Sequence, residues 1–257
     1  MNGTMNGTAA YALRLGDDAL ILAQRLGEWI AAAPQLEEDV AVGNIALDLL
    51  GQARSLLTYA GELEGAGRDE DTLAYFRDER DFTNVHLCEL ANGDFGQTMA
   101  RLLVFSAYQC ELYAQLATSA DQTLSAIAAK ARKEVSYHRD HATQWVLRLG
   151  DGTEESHRRS QAGLDAVWPY TAELFEPDEL TDQLVEDGVA ADPAAMEPAW
   201  SAYVVGVLQQ ATLTQPTAQQ IGMPAVTGGR RGIHSEQMGY LLAEMQYLAR
   251  SHPGATW

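Results

Sequence analysis

The chain is predicted to be all-α, a four-helix bundle with one long crossover and additional C-terminal helices. Three observations carry this. Apolar residues recur at three- and four-residue spacing through most of the sequence, while strand-type alternation is almost absent. Two pairs of long periodic segments are each joined by a tight turn, which makes two antiparallel hairpins. A long stretch of loop and short helix, from Gly61 to Asp94, separates the pairs, as in bundles with one crossover connection.

The first helix is expected over Ala10–Ala32, with Leu15, Ala19, Leu22, Leu26 and Trp29 on one face and Pro34 just past its end. Before it, Met1–Ala10 repeats Met-Asn-Gly-Thr twice and reads as a frayed tail without signal-peptide features. The second helix opens with Glu37, Glu38 and Asp39, where the helix dipole favours anions, and runs from Leu36 to Gly61. Asn92-Gly93-Asp94 makes a turn into the third helix, Phe95–Thr118, and the fourth spans Gln122–Leu149, stopped by Gly150-Asp151-Gly152. At 1.5 Å per residue such helices reach roughly 35–40 Å, enough to bury a site midway. Further helices are expected over Glu154–Phe175, Asp178–Val185, Pro193–Gln210 and His234–Arg250. Thr212–Gly232 is aperiodic and rich in Pro, Gly and Gln, and reads as a clasp on a neighbouring subunit or as a plain surface loop. As domains, residues 1–9 are taken as a disordered tail and 10–257 as one helical domain, its core bundle over 10–150 and its C-terminal helices and clasp loop over 151–257.

Composition excludes several classes. A net charge of −19, with Lys130 and Lys133 the only lysines among 17 basic residues, argues against non-specific nucleic-acid binding and against docking on an anionic membrane. No apolar run approaches a membrane span. Cys88 and Cys110 have no metal-ligand spacing and read as free thiols in a reducing compartment, so a cytoplasmic location is expected. No Gly-x-Ser-x-Gly, phosphate-binding loop or dinucleotide fingerprint is present.

The chemistry a bundle of this kind can carry is a carboxylate-bridged di-metal centre. It needs one carboxylate from each of two helices and Glu-x-x-His from each of the others, because a spacing of three puts both ligands on one face. Only His157 has a glutamate three positions earlier, in Glu154-Glu155-Ser156-His157, and that match reads as a helix start capped by Thr153. On the second helix the polar pair is Asp48 and Gln52, flanked by Ile45, Leu49 and Leu56; glutamine is a poor metal ligand. On the fourth, Glu134, His138, His141 and Trp145 share a face, but Glu134 to His138 is a spacing of four, with Tyr137 where the imidazole belongs. On the third, Leu102, Phe105, Tyr108 and Leu112 fill the middle. Asp48, Gln52, Glu134 and His138 are thus degenerate metal-site positions, read as a mutually satisfied polar network. A divergent site of Asp18, Asp48, Glu111, Glu134 and His138 is the alternative, making the chain a di-iron oxygenase in its own right. Arg77 to Asn84 is a dense charge run, either a solvated helix end or a place where two arginines and Asn84 meet an anionic or amide-bearing ligand.

Several blocks carry a resemblance: Leu13–Asp17, Arg25–Trp29, Asn44–Arg54, Asp69–Ala74, Arg77–Asn84, Thr171–Phe175 and Leu242–Leu248. In this order they resemble the C-subunit family of bacterial phenylacetyl-CoA epoxidase, a ferritin-like group within the multicomponent di-iron monooxygenases. The resemblance implies a structural, non-catalytic chain without a cofactor of its own. It implies a di-iron centre in a homologous catalytic A subunit, a small B subunit, and a reductase with FAD and an iron–sulfur cluster that delivers electrons from NADPH. It places phenylacetyl-CoA near the A–C boundary. By match to the family's contact segments, Asp81, Phe82, Thr83 and Asn84, and Asp182, Gln183 and Leu184, are the substrate-binding candidates.

Overall fold

The computed structural model describes residues 6–217 and 224–255, and among these every regular element is helical. The chain packs as two compact units, one formed by residues 1–91 with 228–257, the other by 92–227.

The first unit is built on the hairpin of α1 (Gly7–Gly27) and α2 (Leu36–Glu64), followed by the short helices α3 (Glu70–Tyr75) and α4 (His86–Glu89). It is completed by the last described helix, here numbered α10 (Glu236–Ser251), which packs on α1, α3 and α4. Helix α1 starts before the expected Ala10 because the Asn6 side chain accepts the Thr8 N–H at 3.0 Å, so Asn6 caps the helix and Gly7–Ala9 belong to it; the expected tail over residues 1–5 lies outside the described residues. The helix ends at Gly27, short of Ala32. Turns follow, in which Ala31 takes a left-handed φ of 65° and gives its N–H to the Asp39 carboxylate at 2.7 Å. Helix α2 runs past Gly61 to Glu64, stopped by Gly65 at a φ of 67°, a conformation that glycine adopts without the Cβ penalty. The expected inward face of α1 is buried at Leu15, Ala19, Leu22 and Leu26.

The second unit is the hairpin of α5 (Phe95–Leu116) and α6 (Gln122–Gly150), packed by α7 (Glu154–Val167) and α9 (Pro193–Gln210), with α8 (Glu179–Glu186) between these two in sequence. Asp94 and Asp121 cap the hairpin helices, each accepting a first-turn backbone N–H. Helix α7 does not continue to Phe175. Pro169 has no N–H to extend the ladder, and two 3-10 turns, Trp168–Tyr170 and Ala172–Phe175, replace the last stretch. The aromatic plug expected on α5 is there: Phe105 and Tyr108 are buried, Tyr108 stands edge-on to Phe175 at 5.8 Å, and Phe175 lies 5.0 Å from Trp200. The Trp200 indole N–H donates to the Val104 carbonyl at 2.9 Å, which satisfies the polar edge of a buried ring. In each unit, then, a hairpin of long helices is closed by helices from later in the chain.

Candidate functional site

The polar centre of the first unit is a set of three buried carboxylates, and each is engaged by groups far away in sequence. Asp17 and Asp18 sit on the buried side of α1. Asp17 forms a two-pronged ion pair with Arg77, both side chains out of water, and its Oδ2 also accepts the Thr83 N–H at 2.9 Å and the Thr83 hydroxyl at 3.0 Å. The Arg77 guanidinium is fixed further by the Asp81 carbonyl at 2.9 Å and by the Phe82 ring 4.0 Å beneath it. Asp18 pairs with Arg230 through both oxygens, at 3.0 and 2.8 Å, and accepts the Val85 N–H at 2.9 Å. Arg230 also donates to the Thr83 carbonyl at 2.9 Å. Burial pushes the Asp18 carboxyl up from its ordinary value, against the downward pull of Arg230.

Glu89, fully buried, is the third carboxylate. It accepts His234 Nδ1 at 2.7 Å, Asn84 Nδ2 at 3.0 Å and the Ser235 N–H at 2.7 Å, while its backbone carbonyl takes two bonds from Arg25. His234 Nε2 faces the Phe82 carbonyl at 2.9 Å, so both ring nitrogens point at acceptors, the arrangement of a doubly protonated imidazolium. Burial works to lower the His234 pKa, but the Glu89 carboxylate and the Phe82 carbonyl together lift it above the ordinary histidine value.

Glycine geometry makes this closure possible. Gly228 and Gly232 flank Arg230 with φ of 124° and 69°, and a Cβ on Gly232 would stand 2.2 Å from the Arg80 carbonyl. The segment lies against the Arg80 backbone and carries Arg230 to Asp18. The expected clasp loop is therefore tied to its own chain at both described ends. Arg230 anchors one end, and the Thr214 backbone exchanges two hydrogen bonds with the Gln161 side chain at the other. Residues 218–223 of that loop lie outside the described residues.

In the Arg77–Asn84 run, Arg77 is an internal anchor, while Asp78, Glu79, Arg80 and Asp81 are exposed, the last three forming a 3-10 turn. Of the substrate-contact candidates, Phe82 and Asn84 are fully buried, Thr83 is committed to Asp17, and Asp81 is at the surface, where its carboxylate accepts the Asp78 N–H at 3.2 Å. The Asn84 side-chain oxygen is buried without a hydrogen-bond partner, an acceptor that a water or a ligand donor would satisfy. In the second unit, Asp182 and Gln183 are exposed on α8 and Leu184 is buried beneath them.

Of the degenerate metal positions, Asp48 (half-buried) and Gln52 (buried) belong to the first unit; Glu134 (half-buried) and His138 (buried) belong to the second. Each already has a polar, charged or ring partner within the chain. The divergent five-residue metal site loses its α1 ligand, because both Asp18 oxygens are taken by Arg230 and Val85. The donor set thus does not fit the di-metal pattern: no Glu-x-x-His stands on α2 or α6, and the α1 carboxylates are neutralised by arginine. Both cysteines are free thiols, Cys88 buried and Cys110 half-buried, and burial pushes the Cys110 thiol up to about 11. His157 lies in the first turn of α7, capped by Thr153 as expected. Among the described residues no helix is long and apolar enough to cross a membrane.

The helical hairpins of the described residues, with other residues standing where Glu-x-x-His pairs would, define a helical bundle protein. The chain belongs to the phenylacetic acid catabolic protein family, whose model matches residues 2–257; the family is ferritin-like and helical. Among curated proteins it is similar to the C subunit of the 1,2-phenylacetyl-CoA epoxidase of Escherichia coli (strain K12). The two are 49% identical over 253 residues, covering 98% of this chain and 100% of that protein.

Proposed function

We propose that this chain is the structural, non-catalytic subunit of a phenylacetyl-CoA epoxidase in aerobic phenylacetate catabolism. It holds a homologous A subunit in active form, and the di-iron centre that epoxidises the aromatic ring of phenylacetyl-CoA lies in that partner. The observation that carries this reading is the end-to-end 49% identity to the C subunit of such an epoxidase, joined to a donor set that does not fit two metals. The same match supports this reading over an independently active di-iron oxygenase. In the proposed assembly the small B subunit and a reductase with FAD and an iron–sulfur cluster are further partners, NADPH supplies the electrons, and the whole works in the cytoplasm. Asp81–Asn84 and Asp182–Leu184 remain the proposed substrate-facing segments, with the partnerless Asn84 oxygen the best-motivated contact among them.

Two measurements test the proposal. Purified alone after growth in iron-replete medium, the chain is expected to hold far less than one iron per molecule and to turn over no substrate. Iron near two per molecule, with turnover, defeats the reading. In the complex reconstituted with the catalytic subunit, Glu134→Ala and His138→Ala are expected to leave the turnover of assembled material essentially intact; its abolition would revive the oxygenase alternative.

A further inference from the structure

Positive charge is scarce in this chain, where 17 lysines and arginines stand against 36 aspartates and glutamates. Arg25, Arg77, Arg230 and Arg250 are each committed to a carboxylate or a backbone carbonyl. The second unit breaks this pattern. Arg132, Lys133 and Arg139 line a cleft of about 620 Å³ between α5 and α6. None of the three donates to a carboxylate or carbonyl among the described residues. With Ser136, they follow one another at steps of one, three and three, which keeps all four on one side of α6. Arg132 and Lys133 are exposed, whereas Arg139 is half-buried and held in place. Its guanidinium carbon lies 4.4 Å from the centre of the Tyr203 ring, and the Tyr203 hydroxyl shares a 2.9 Å hydrogen bond with Thr143. The Arg139 Nε is buried without an acceptor, so stacking fixes a cation whose donor the protein leaves unsatisfied. From α5 come Cys110 and Glu111. Cys110 donates to the Val135 carbonyl at 3.5 Å, and burial pushes its thiol up to about 11, so it adds no negative charge at neutral pH. Three cations thus share the cleft with one carboxylate. No aromatic ring is among the described residues lining it, so it offers no face for stacking a nucleobase.

We infer that this cleft binds a phosphate dianion, either free or carried by a small hydroxylated ester. Arg132, Lys133 and Arg139 neutralise the oxyanion and Ser136 gives it a hydroxyl donor. Glu111, which only accepts when ionised, takes the hydroxyl protons of an ester. A cleft dominated by one sign of charge raises the local concentration of the opposite ion, and it does so here on an otherwise acidic chain. The site lies within the second unit, uses none of the proposed substrate-facing residues, and does not depend on the proposed function.

The test titrates the full-length chain by calorimetry at low ionic strength, where charge pairing is least screened. The probes are inorganic phosphate and ribose 5-phosphate, with ribose and acetate as controls. Saturable binding of phosphate is expected, and none of the controls. Arg132→Gln/Lys133→Gln changes two exposed positions, so circular dichroism and thermal unfolding should match the parent while phosphate affinity falls about tenfold or more. Arg139→Gln should lose about as much, and the exposed pair decides the matter if that variant folds poorly. Ribose 5-phosphate binding tighter than inorganic phosphate, with the advantage lost in Glu111→Gln, upholds the site and assigns it an ester. Equal affinities uphold it and assign it free phosphate. The inference is overturned by the absence of saturable phosphate binding at millimolar concentration, by acetate binding as tightly as phosphate, or by affinity within about twofold of the parent in the Arg132/Lys133 variant.

Discussion

The two compact units share a plan and differ in what holds them. Each is a hairpin of long helices with later helices packed against it, yet the first is crossed by buried ion pairs and the second is centred on a cluster of rings. In the first, Asp17–Arg77, Asp18–Arg230 and Glu89–His234 join segments 60, 212 and 145 residues apart. In the second, Phe105, Tyr108, Phe175 and Trp200 form the corresponding centre, and the Trp200 indole N–H is tied to the Val104 carbonyl. Ring packing tolerates small adjustments and gains stability from area. Buried ion pairs gain little net stability over an apolar replacement but penalise any missing member heavily, since the remaining charge stays out of water. The ion-paired centre of the first unit is therefore more exacting about its residues than the ring cluster of the second.

The largest expected effect tests that contrast directly. Arg77→Met strands Asp17 inside the protein and should cost about 3–5 kcal/mol in denaturant unfolding. A loss below about 1 kcal/mol would mean that Asp17 and Arg77 are not buried together. His234→Leu removes two charge-assisted hydrogen bonds and should cost about 2 kcal/mol at pH 6. The pH dependence gives the sign. Because the folded His234 pKa is raised, its contribution is complete below the ordinary histidine value of about 6.5 and is lost as pH rises through the elevated folded value. The gap between parent and variant should therefore narrow between pH 6 and 9; a gap that widens would show that His234 is held neutral. Trp200→Phe keeps most of the ring packing and loses the bond to Val104, so about 1 kcal/mol is expected, well short of the Arg77 effect. Parity between the two would erase the distinction between the units. The smallest effect belongs to Asn6→Ala, which removes the cap of α1 and should cost about 0.5–1 kcal/mol, with faster amide exchange confined to the first turn.

The helices and hairpins were legible in the sequence because periodicity, caps and glycine stops are local signals. Thr153 and Gly150 mark ends where they were expected, and the buried Phe105 and Tyr108 follow from spacing alone. The partners of Asp17 and Asp18 were not legible, since an ion pair across 212 residues leaves no periodic trace near either member. Two signals nevertheless lay in view. The run Gly228-Gly229-Arg230-Arg231-Gly232 has the glycines a chain needs to bring an arginine against another backbone, and Arg77–Asn84 is dense in charge where a solvated loop would have served. For the second the sequence leaves a solvated helix end and a ligand-binding place both open; the structure pairs its Arg77 with Asp17. The first-turn Asn6 cap was missed because a repeated Met-Asn-Gly-Thr reads as tail until one Asn-Gly-Thr is seen starting the helix.

The return of Gly228–Trp257 to the first unit has a consequence for biosynthesis. The second unit is one continuous stretch of chain, whereas Asp18 and Glu89 in the first wait for Arg230 and His234, made 212 and 145 residues later. Until then Asp18 on α1 and Glu89 on α4 lack the cationic partners they have in the folded unit. The order of synthesis and the order of completion thus differ: the first unit is begun before the second and finished after it.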